Sequence, residues 1–290
     1  MDLLNAIIMG VVQGIAEFLP ISSDGHLALM SNILHMKADT GLLFNVMLHF
    51  GTLVAVCIAF WKDILELICE GFYMIGDLLV NTWRYINQSG KQKETGYRQV
   101  ISTPYRRFVL MVIVSTIPTG LIGVLCKDFI EGISNNILIT GVCLIITGLC
   151  LILADRTETG KKNESDVSYT DAGILGVAQG FAIMPGLSRS GTTITAALLL
   201  GLDRNFAVKY SFIMSIPAIL GAVVLEVKDF SMDMVTQNQL MNYLVGTVIA
   251  AAVGFFAIKT MLVLVRGKKF KYFAYYCFVI GAVAIIWYIK

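Results

Sequence analysis

Long runs of apolar residues dominate this chain and constrain its fold more than any other feature. A helix needs about 20 mostly apolar residues to cross the hydrocarbon core of a bilayer. Six segments have about this length, at residues 41–61, 106–125, 137–154, 206–226, 241–265 and 271–289. Only 14% of the 290 residues are charged, against roughly 25% in an ordinary soluble domain. The sequence therefore predicts an all-α integral membrane protein with about six transmembrane helices.

Two further apolar stretches, residues 3–36 and 171–203, are each interrupted by a short polar sequence. The first is broken at FLPISSDGH, residues 18–26 (the first elbow), and the second at MPGLSRSGTT, residues 184–193 (the second elbow). Each stretch offers two half-length helices. Non-helical backbone at membrane depth is tolerated only inside protein or beside a wet cavity. We therefore expect two re-entrant helical hairpins; the alternative is that each stretch forms two short, tilted spans.

Positive charge is divided unevenly between the two sides that six spans and two hairpins define. The connections at 62–105, 155–170 and 266–271, with the end of the second hairpin near Arg204, share one side and carry most of the lysines and arginines. The opposite side has only Lys37, Lys127, Lys228 and Lys290. Because cytoplasmic loops are enriched in Lys and Arg, the first side is predicted to be cytoplasmic. The first hairpin then opens outward and the second opens inward.

The segment that follows Lys62 is amphipathic. ILELICEGFYMIGDLLVNTWRYI is too polar for a seventh span. Helices of this kind, with an apolar face and a charged face, lie in the membrane interface. We expect an interfacial helix that ends near Trp83 and Tyr85, followed by a cytoplasmic loop at 87–105.

The two interrupted stretches resemble each other. At an offset of 166 residues, GVVQGIAEFLPISSDG from Gly10 aligns with GVAQGFAIMPGLSRSG from Gly176, and seven of the 16 positions are identical. Three spans separate the hairpins, so the halves, about 1–135 and 137–290, have opposite orientations within one polytopic domain, residues 1–290. In an inverted-topology repeat of this kind the broken helices meet near the bilayer midplane. Both elbows are therefore expected to form one site.

Polar groups in and before the first elbow are arranged to face an anion. Gln13 and Glu17 are four residues apart and so share one face of a helix. Pro20 ends that helix. Ser22 and Ser23 stand where the next half-helix begins and supply hydroxyl caps beside free backbone N–H groups.

The second elbow adds a positive charge. Arg189 lies between Ser188 and Ser190, and Thr193 follows in the next helix. An arginine at membrane depth costs about 2.5 to 3.5 kcal/mol on insertion scales and should have a charged partner. Helix N-termini favour anions, and a phosphate offers the guanidinium and the hydroxyls more acceptor oxygens than a carboxylate does. The two elbows together predict a phosphate site.

Glu17 conflicts with a phosphate unless its charge is neutralised. Either its carboxyl is protonated, or a divalent cation lies between it and the anion. His26 follows Ser23 by three residues and shares its helix face, within reach of the anion and of a serine hydroxyl. It could act as a general acid or base, or as a nucleophile that accepts a phosphoryl group.

Other polar residues support weaker predictions. His49 either lines the cavity or makes a structural hydrogen bond, His35 is expected at the membrane interface, and Asp24 is expected to point away from Ser23 as a helix cap. The six cysteines lack the spacing of metal ligands and are interpreted as packing residues. The chain contains no Walker loop, HExxH pair or GxSxG sequence.

The two elbow sequences resemble a known family. QGIAEFLPISSDGH and PGLSRSGTT are similar to the two signature motifs of the undecaprenyl-diphosphate phosphatases, the bacitracin resistance family. Chain length, motif spacing and the arrangement of spans and hairpins also match, so the resemblance covers nearly the whole chain. It implies hydrolysis of undecaprenyl diphosphate to undecaprenyl phosphate and inorganic phosphate, with a divalent cation, Mg²⁺ or Ca²⁺. It also implies recycling of the lipid carrier for peptidoglycan and other wall polymers.

The resemblance assigns roles to residues of both motifs. Its catalytic groups are His26, Ser23, Glu17 and Arg189; its phosphate-binding groups are Ser22, Ser188, Arg189, Ser190 and Thr193; its cation ligands are Glu17 and Gln13. The family accepts Glu or Gln at the position of Gln13, so the amide here leaves the cation chiefly to Glu17. Asp24 replaces a smaller or hydroxyl residue that is more usual in the family. The motifs leave open whether Ser23 or His26 attacks phosphorus.

The first hairpin is predicted to open outward and to carry the catalytic side chains, so we expect access from the external face of a bacterial plasma membrane. Expected partners are a polyprenyl diphosphate and membrane lipid, with no nucleic acid. Gly246 and Gly254 could pack spans within one chain or between two, which leaves a homodimer open. The main alternative is a secondary transporter or flippase for phosphate or polyprenyl phosphate, because broken midplane helices are typical of carriers. His26 beside Ser23 and Glu17 favours the enzyme, since a carrier needs no acid, base or nucleophile.

Overall fold

The computed structural model describes residues 2–34, 41–87, 96–133, 136–228 and 237–289, and these ranges contain twelve α-helices. In chain order they are α1 Leu3–Phe18, α2 Ser23–Ile33, α3 Gly41–Ala59, α4 Trp61–Asn87, α5 Pro104–Leu125, α6 Lys127–Ile133, α7 Ile137–Arg156, α8 Tyr169–Phe181, α9 Arg189–Leu199, α10 Arg204–Lys228, α11 Gln237–Arg266 and α12 Phe270–Ile289. The far end of the predicted first hairpin, with His35 and Lys37, lies outside the described residues, as do part of the loop at 87–105 and Lys290.

Five of the described helices are long and apolar enough to cross a membrane, namely α5, α7, α10, α11 and α12. The pair α3 and α4 passes the same test as one broken span, with a bend of 87° between Leu43–Ala59 and Trp61–Asn87. The prediction of an all-α membrane protein is confirmed for the described residues, which contain five or six helical segments able to cross a membrane. The predicted span at 41–61 corresponds to α3, which meets the length and hydropathy criteria for a span only when it is counted together with α4.

The first interrupted stretch forms two short helices. α1 ends at Phe18 because Pro20 restricts the residue before it and has no N–H group for a helical hydrogen bond. α2 begins at Ser23, and the hydroxyl of the N-cap Ser22 accepts a hydrogen bond from the backbone N–H of Gly25 at 3.4 Å. The polar residues of the first elbow therefore end one helix and start the next.

The second interrupted stretch follows the same plan. α8 ends at Phe181, and α9 begins at Arg189 with Ser188 as its N-cap, which accepts a hydrogen bond from the N–H of Gly191 at 3.1 Å. The four helices beside the elbows have 16, 11, 13 and 11 residues. Each is shorter than the roughly 20 residues that one crossing requires.

Glycines allow the short helices to pack closely on their neighbours. α1 packs against α11, and α8 packs against α5. A Cβ atom added at Gly10 would lie 2.5 Å from the carbonyl oxygen of Gly246, and one added at Gly176 would lie 2.1 Å from the carbonyl oxygen of Ser115. Protein interiors do not hold non-bonded atoms this close. Two glycines that match in the sequence repeat thus make matching contacts, each on a different long helix.

The small residues of α11 are used inside the chain. A Cβ atom added at Gly246 would lie 2.8 Å from the ring of Phe44, and one added at Gly254 would lie 2.7 Å from the ring of Phe18. These glycines were expected to pack spans either within one chain or between two chains. The structure shows that they pack helices within one chain.

The long helix α4 is amphipathic and is fastened to α5 by charged groups. Arg106 on α5 donates from Nε to Glu70 at 2.6 Å and from Nη1 to Asp77 at 2.7 Å. Large apolar side chains of α4 are exposed, among them Trp83 and Tyr85 near its end. The structure therefore contains the amphipathic helix that was predicted after Lys62.

Candidate active site

The two elbows lie against each other. The hydroxyl of Ser190 donates to the carbonyl oxygen of Leu19 at 3.5 Å. A Cβ atom added at Gly191 would lie 3.2 Å from the Cβ of Pro20. The structure thus brings together the polar sequences of both halves, and the polar groups around this contact form the candidate site.

A buried ion pair joins the end of α1 to the second elbow. The guanidinium of Arg189 donates through Nη2 to Oε1 of Glu17. The Glu17 side chain is 2% exposed and the Arg189 side chain 25% exposed. Because isolated charges are costly at membrane depth, each of these groups compensates the other. The sequence predicted that Arg189 has a charged partner, and the structure identifies Glu17 as that partner.

Gln13 and His49 complete the surroundings of Glu17. Nε2 of Gln13 lies 3.1 Å from Oε2 of Glu17 and 3.0 Å from Nδ1 of His49. Since the amide nitrogen can only donate, Nδ1 of a neutral His49 accepts and its Nε2 carries the proton. That Nε2 lies 3.4 Å from Oδ1 of Asp24. The expectation that Asp24 points away from the site is therefore wrong. Of the two interpretations of His49, the structure shows the hydrogen bond, which His49 makes to Gln13 beside Glu17.

The side-chain oxygen of Gln13 is a candidate cation ligand. Its Oε1 is buried and has no hydrogen-bond partner among the described residues. A buried unpaired polar group costs about 1 to 3 kcal/mol, so a ligand that binds this oxygen would stabilise the site. Mg²⁺ is commonly held by one or two carboxylates with phosphate oxygens from a substrate, and Gln13 beside Glu17 fits such a set. Among the described residues there is no group of at least three His, Cys, Asp or Glu side chains that could hold a metal ion.

Three hydroxyl groups of the second elbow, those of Ser188, Ser190 and Thr193, are buried and already paired, whereas Oγ1 of Thr192 is buried without a hydrogen-bond partner among the described residues. Oγ of Ser188 lies 3.3 Å from Oγ of Ser190. Thr193 donates to the carbonyl oxygen of Arg189 at 2.7 Å and also contacts the hydroxyl of Ser211 at 2.5 Å. Through these hydrogen bonds Ser188 and Thr193 stabilise the start of α9. A phosphate that binds to their hydroxyl groups would have to replace some of these hydrogen bonds.

His26 is held at both ring nitrogens. Nδ1 lies 2.8 Å from the carbonyl oxygen of Ser22, and Nε2 lies 2.7 Å from the hydroxyl of Tyr276 on α12. Ser23 is the first residue of α2 and is partly buried. Tyr276 was not identified from the sequence because it is 250 residues away and belongs to neither elbow.

Ser22 has an unusual backbone conformation, with φ 71° and ψ 103°. Residues other than glycine rarely adopt such values, which cost about 1 to 3 kcal/mol and persist only where the surroundings impose them. The carbonyl group of Ser22 accepts from Nδ1 of His26 and from its backbone N–H, at 2.8 and 3.3 Å. The equivalent Ser188 has an ordinary φ of −70°. The strained residue is thus the one that orients the histidine.

Comparisons with known proteins identify the family of the chain. Residues 6–283 match the family model described as Bacitracin resistance protein BacA. An undecaprenyl-diphosphatase of Methanosphaera stadtmanae is 42% identical over 287 residues, which cover 99% of this chain and 98% of that protein. One of Alkaliphilus metalliredigens is 39% identical over 286 residues, with the same two coverages of 99% and 98%. Undecaprenyl-diphosphatase 4 of Bacillus thuringiensis is 36% identical over 285 residues, covering 98% of this chain and 97% of that protein. The chain therefore belongs to the bacitracin resistance protein BacA family.

Proposed function

We propose that this protein is an integral membrane phosphatase that hydrolyses undecaprenyl diphosphate to undecaprenyl phosphate and inorganic phosphate. The relatives that match along nearly their whole length are named undecaprenyl-diphosphatases. The observation that carries the proposal is the contact between the two halves, which places Arg189, the first residue of α9, beside Glu17 at the end of α1, just before the first elbow. The product returns to the synthesis of peptidoglycan and other wall polymers, and this recycling agrees with the resistance in the family's name.

Substrate binding in this proposal begins with an exchange of partners at Arg189. The guanidinium can form a bidentate pair with a phosphoryl group, and charged pairs of this kind are stronger than bonds to neutral acceptors. The N-terminus of α9 starts at the same residue and favours an anion. Ser22, Ser188, Ser190 and Thr193 supply hydroxyl groups around this position. Arg189 therefore leaves Glu17 when the diphosphate binds and then stabilises the charge that spreads over the transferred phosphoryl group.

Glu17 and Gln13 would hold the divalent cation. The departure of Arg189 frees one carboxylate oxygen, and Oε1 of Gln13 is unpaired among the described residues. A bound Mg²⁺ or Ca²⁺ supplies positive charge that offsets the negative charge of the diphosphate. The carboxylate and the anion then occupy one site without repulsion.

We propose that the P–O bond is broken beside the first turns of α2, where Ser23 and His26 lie. The attacking oxygen, from Ser23 or from water, transfers its proton to Nε2 of His26 while the P–O bond to the lipid phosphate breaks. Undecaprenyl phosphate leaves with the electron pair of that bond. If Ser23 attacks, water then releases the phosphoryl group as inorganic phosphate. Nδ1 is engaged by the Ser22 carbonyl, so Nε2 is the nitrogen that can accept the proton.

We further propose that the helix pairs α1–α2 and α8–α9 are re-entrant hairpins of an inverted-topology repeat. Their short lengths and the matching contacts of Gly10 and Gly176 support this. The excess of Lys and Arg on one side supports an orientation in which the first hairpin opens to the external face. Sealed vesicles with substrate in one leaflet test the orientation. Phosphate release from external substrate supports it, and hydrolysis restricted to substrate in the cytoplasmic leaflet contradicts it.

A phosphate-release assay on the purified protein tests the function. The protein in detergent should release inorganic phosphate from undecaprenyl diphosphate, lose activity in a chelator, and recover with Mg²⁺ or Ca²⁺. A transporter or flippase, the main alternative, would move phosphate or polyprenyl phosphate across a vesicle membrane without breaking the diphosphate. Transport without release of inorganic phosphate would overturn the proposal.

A further inference from the structure

Tyr276 makes two contacts with His26 from a different part of the fold. Its hydroxyl lies 2.7 Å from Nε2, and the two rings are stacked with centroids 5.6 Å apart and planes inclined by 17°. The next residue, Cys277, contacts the carbonyl oxygen of Pro20 through its sulfur at 3.7 Å. α12 therefore packs directly on the first elbow and delivers Tyr276 to the histidine.

The hydrogen-bond partners determine which nitrogen of His26 carries the proton. The carbonyl oxygen of Ser22 can only accept, so Nδ1, at 2.8 Å, must be protonated. In the neutral ring Nε2 then has a free electron pair, and the hydroxyl of Tyr276 donates to it. The phenol thus occupies the position next to Nε2 where an attacking hydroxyl group must lie if His26 is to accept its proton.

We propose that Tyr276 is a positioning residue for His26. Its hydroxyl and ring hold the imidazole so that the electron pair of Nε2 points at the place of the attacking oxygen, and that oxygen enters beside the phenol while the hydroxyl of Tyr276 stays at the imidazole. This inference rests on the proposed function, because it assigns Tyr276 to the same reaction. A ring fixed by Ser22 alone could rotate about its side-chain bonds, and a misplacement of about 1 Å can reduce a rate about 100-fold.

A double-mutant cycle distinguishes this role from a general role in folding. Tyr276→Phe keeps the stacked ring and removes the hydroxyl; kcat should fall about tenfold to 100-fold, with little change in KM. In a His26→Ala background, the same change should cause no further loss, because Tyr276 acts through the imidazole. Tyr275→Phe is the matched control: its side chain is 57% exposed on the same helix, and it should behave as wild type. Full activity of Tyr276→Phe, or an equal loss in both backgrounds, would overturn the inference.

A measurement on the wild-type protein avoids dependence on a variant that folds poorly. The chain has three histidines, so ¹⁵N-histidine labelling gives few signals, and His26→Ala assigns the relevant one. His26 should show a protonated Nδ1 and a hydrogen-bonded, unprotonated Nε2. The opposite tautomer contradicts the inference. This result is independent of turnover: absence of phosphate release by the wild type would refute the proposed function, whereas a fully active Tyr276→Phe refutes only the role of Tyr276.

Discussion

The guanidinium of Arg189 on α9 donates to the carboxylate of Glu17 on α1, although 172 residues separate them in the chain. This ion pair links the end of α1 to the second elbow, and the side chain of Glu17 is almost fully buried there. The two charges neutralise each other. A diphosphate must therefore compete with Glu17 for the arginine. Substitution of either residue should change both the stability of the protein and its binding of the anion.

Glu17→Gln should destabilise the protein. Removing one partner of a buried ion pair leaves the other charge uncompensated, and this costs about 3 to 5 kcal/mol. Thermal unfolding of the detergent-solubilised variant should show a lower midpoint than the wild type. Inorganic pyrophosphate should raise the midpoint of Glu17→Gln more than that of the wild type, because it finds Arg189 unpaired. The control is Glu17→Gln with Arg189→Gln, which should be more stable than Glu17→Gln alone; an unchanged midpoint for the single variant would contradict the pairing.

Glycine at position 22 should separate stability from activity. Ser22→Gly removes strain of about 1 to 3 kcal/mol, and this gain offsets the loss of the cap and the added freedom of the unfolded chain. The unfolding midpoint should therefore be equal to or above that of the wild type, while turnover falls because the carbonyl that orients His26 is less firmly held. Ser188→Gly, at the equivalent cap with an ordinary φ of −70°, should lower the midpoint. Equal losses of stability in both variants would argue against strain at Ser22.

The close contact of α8 with α5 predicts opposite effects of alanine at two glycines of one helix. Gly176→Ala places a Cβ atom 2.1 Å from the carbonyl oxygen of Ser115 and should cost about 1 to 3 kcal/mol through overpacking. An added Cβ at Gly173 meets nothing within 4 Å. Gly173→Ala should therefore stabilise the helix by up to about 1 kcal/mol. Thermal midpoints of the two purified variants check this, and a stable, well-folded Gly176→Ala protein would contradict the packing.

Gln13→Glu should strengthen cation binding. The change adds a charged oxygen beside Glu17, which suits a hard divalent ion. The two carboxylates repel each other without the ion, so the variant should unfold at a lower temperature in a chelator and recover as Mg²⁺ is added. The concentration for half-maximal stabilisation should fall about tenfold relative to the wild type, which corresponds to about 1.4 kcal/mol.

The matched control for Gln13→Glu is Gln179→Glu, the equivalent position in the second half. Gln179 is buried and its Nε2 donates to Thr119 and to the carbonyl oxygen of Met214, while its Oε1, like that of Gln13, has no hydrogen-bond partner among the described residues. Its replacement should lower stability at every Mg²⁺ concentration. If both variants respond equally to Mg²⁺, Gln13 does not belong to a cation site.

Local rules were sufficient to predict the broken helices. Pro20 ends α1, and Ser22 and Ser188 cap α2 and α9, because proline geometry and hydroxyl capping depend only on neighbouring residues. The repeat between the elbows also led to the expectation that they meet, and Ser190 does contact Leu19.

Contacts that depend on packing of distant helices could not be predicted in the same way. Tyr276 reaches His26 only because α12 packs on the first elbow, and no spacing rule links positions 250 residues apart. The pairing of Arg189 with Glu17 was also missed, since the sequence suggested a phosphate as the partner of the arginine. The left-handed φ of Ser22 has no local signal, because glycine is the residue that usually marks such a conformation.

The central claim is that the contact between the elbows is the site of diphosphate hydrolysis, and turnover of two single variants tests it most directly. Phosphate release from undecaprenyl diphosphate should be measured for the wild type, Glu17→Ala, Arg189→Ala and the control Arg84→Ala, whose partly exposed side chain on α4 donates to the carbonyl oxygen of Gly96. Protein that remains folded should be confirmed in each case by size-exclusion chromatography. The account predicts that Glu17→Ala and Arg189→Ala lose at least about 100-fold in kcat, as expected for lost charge stabilisation, while Arg84→Ala retains the wild-type rate. Full turnover by both Glu17→Ala and Arg189→Ala would contradict it.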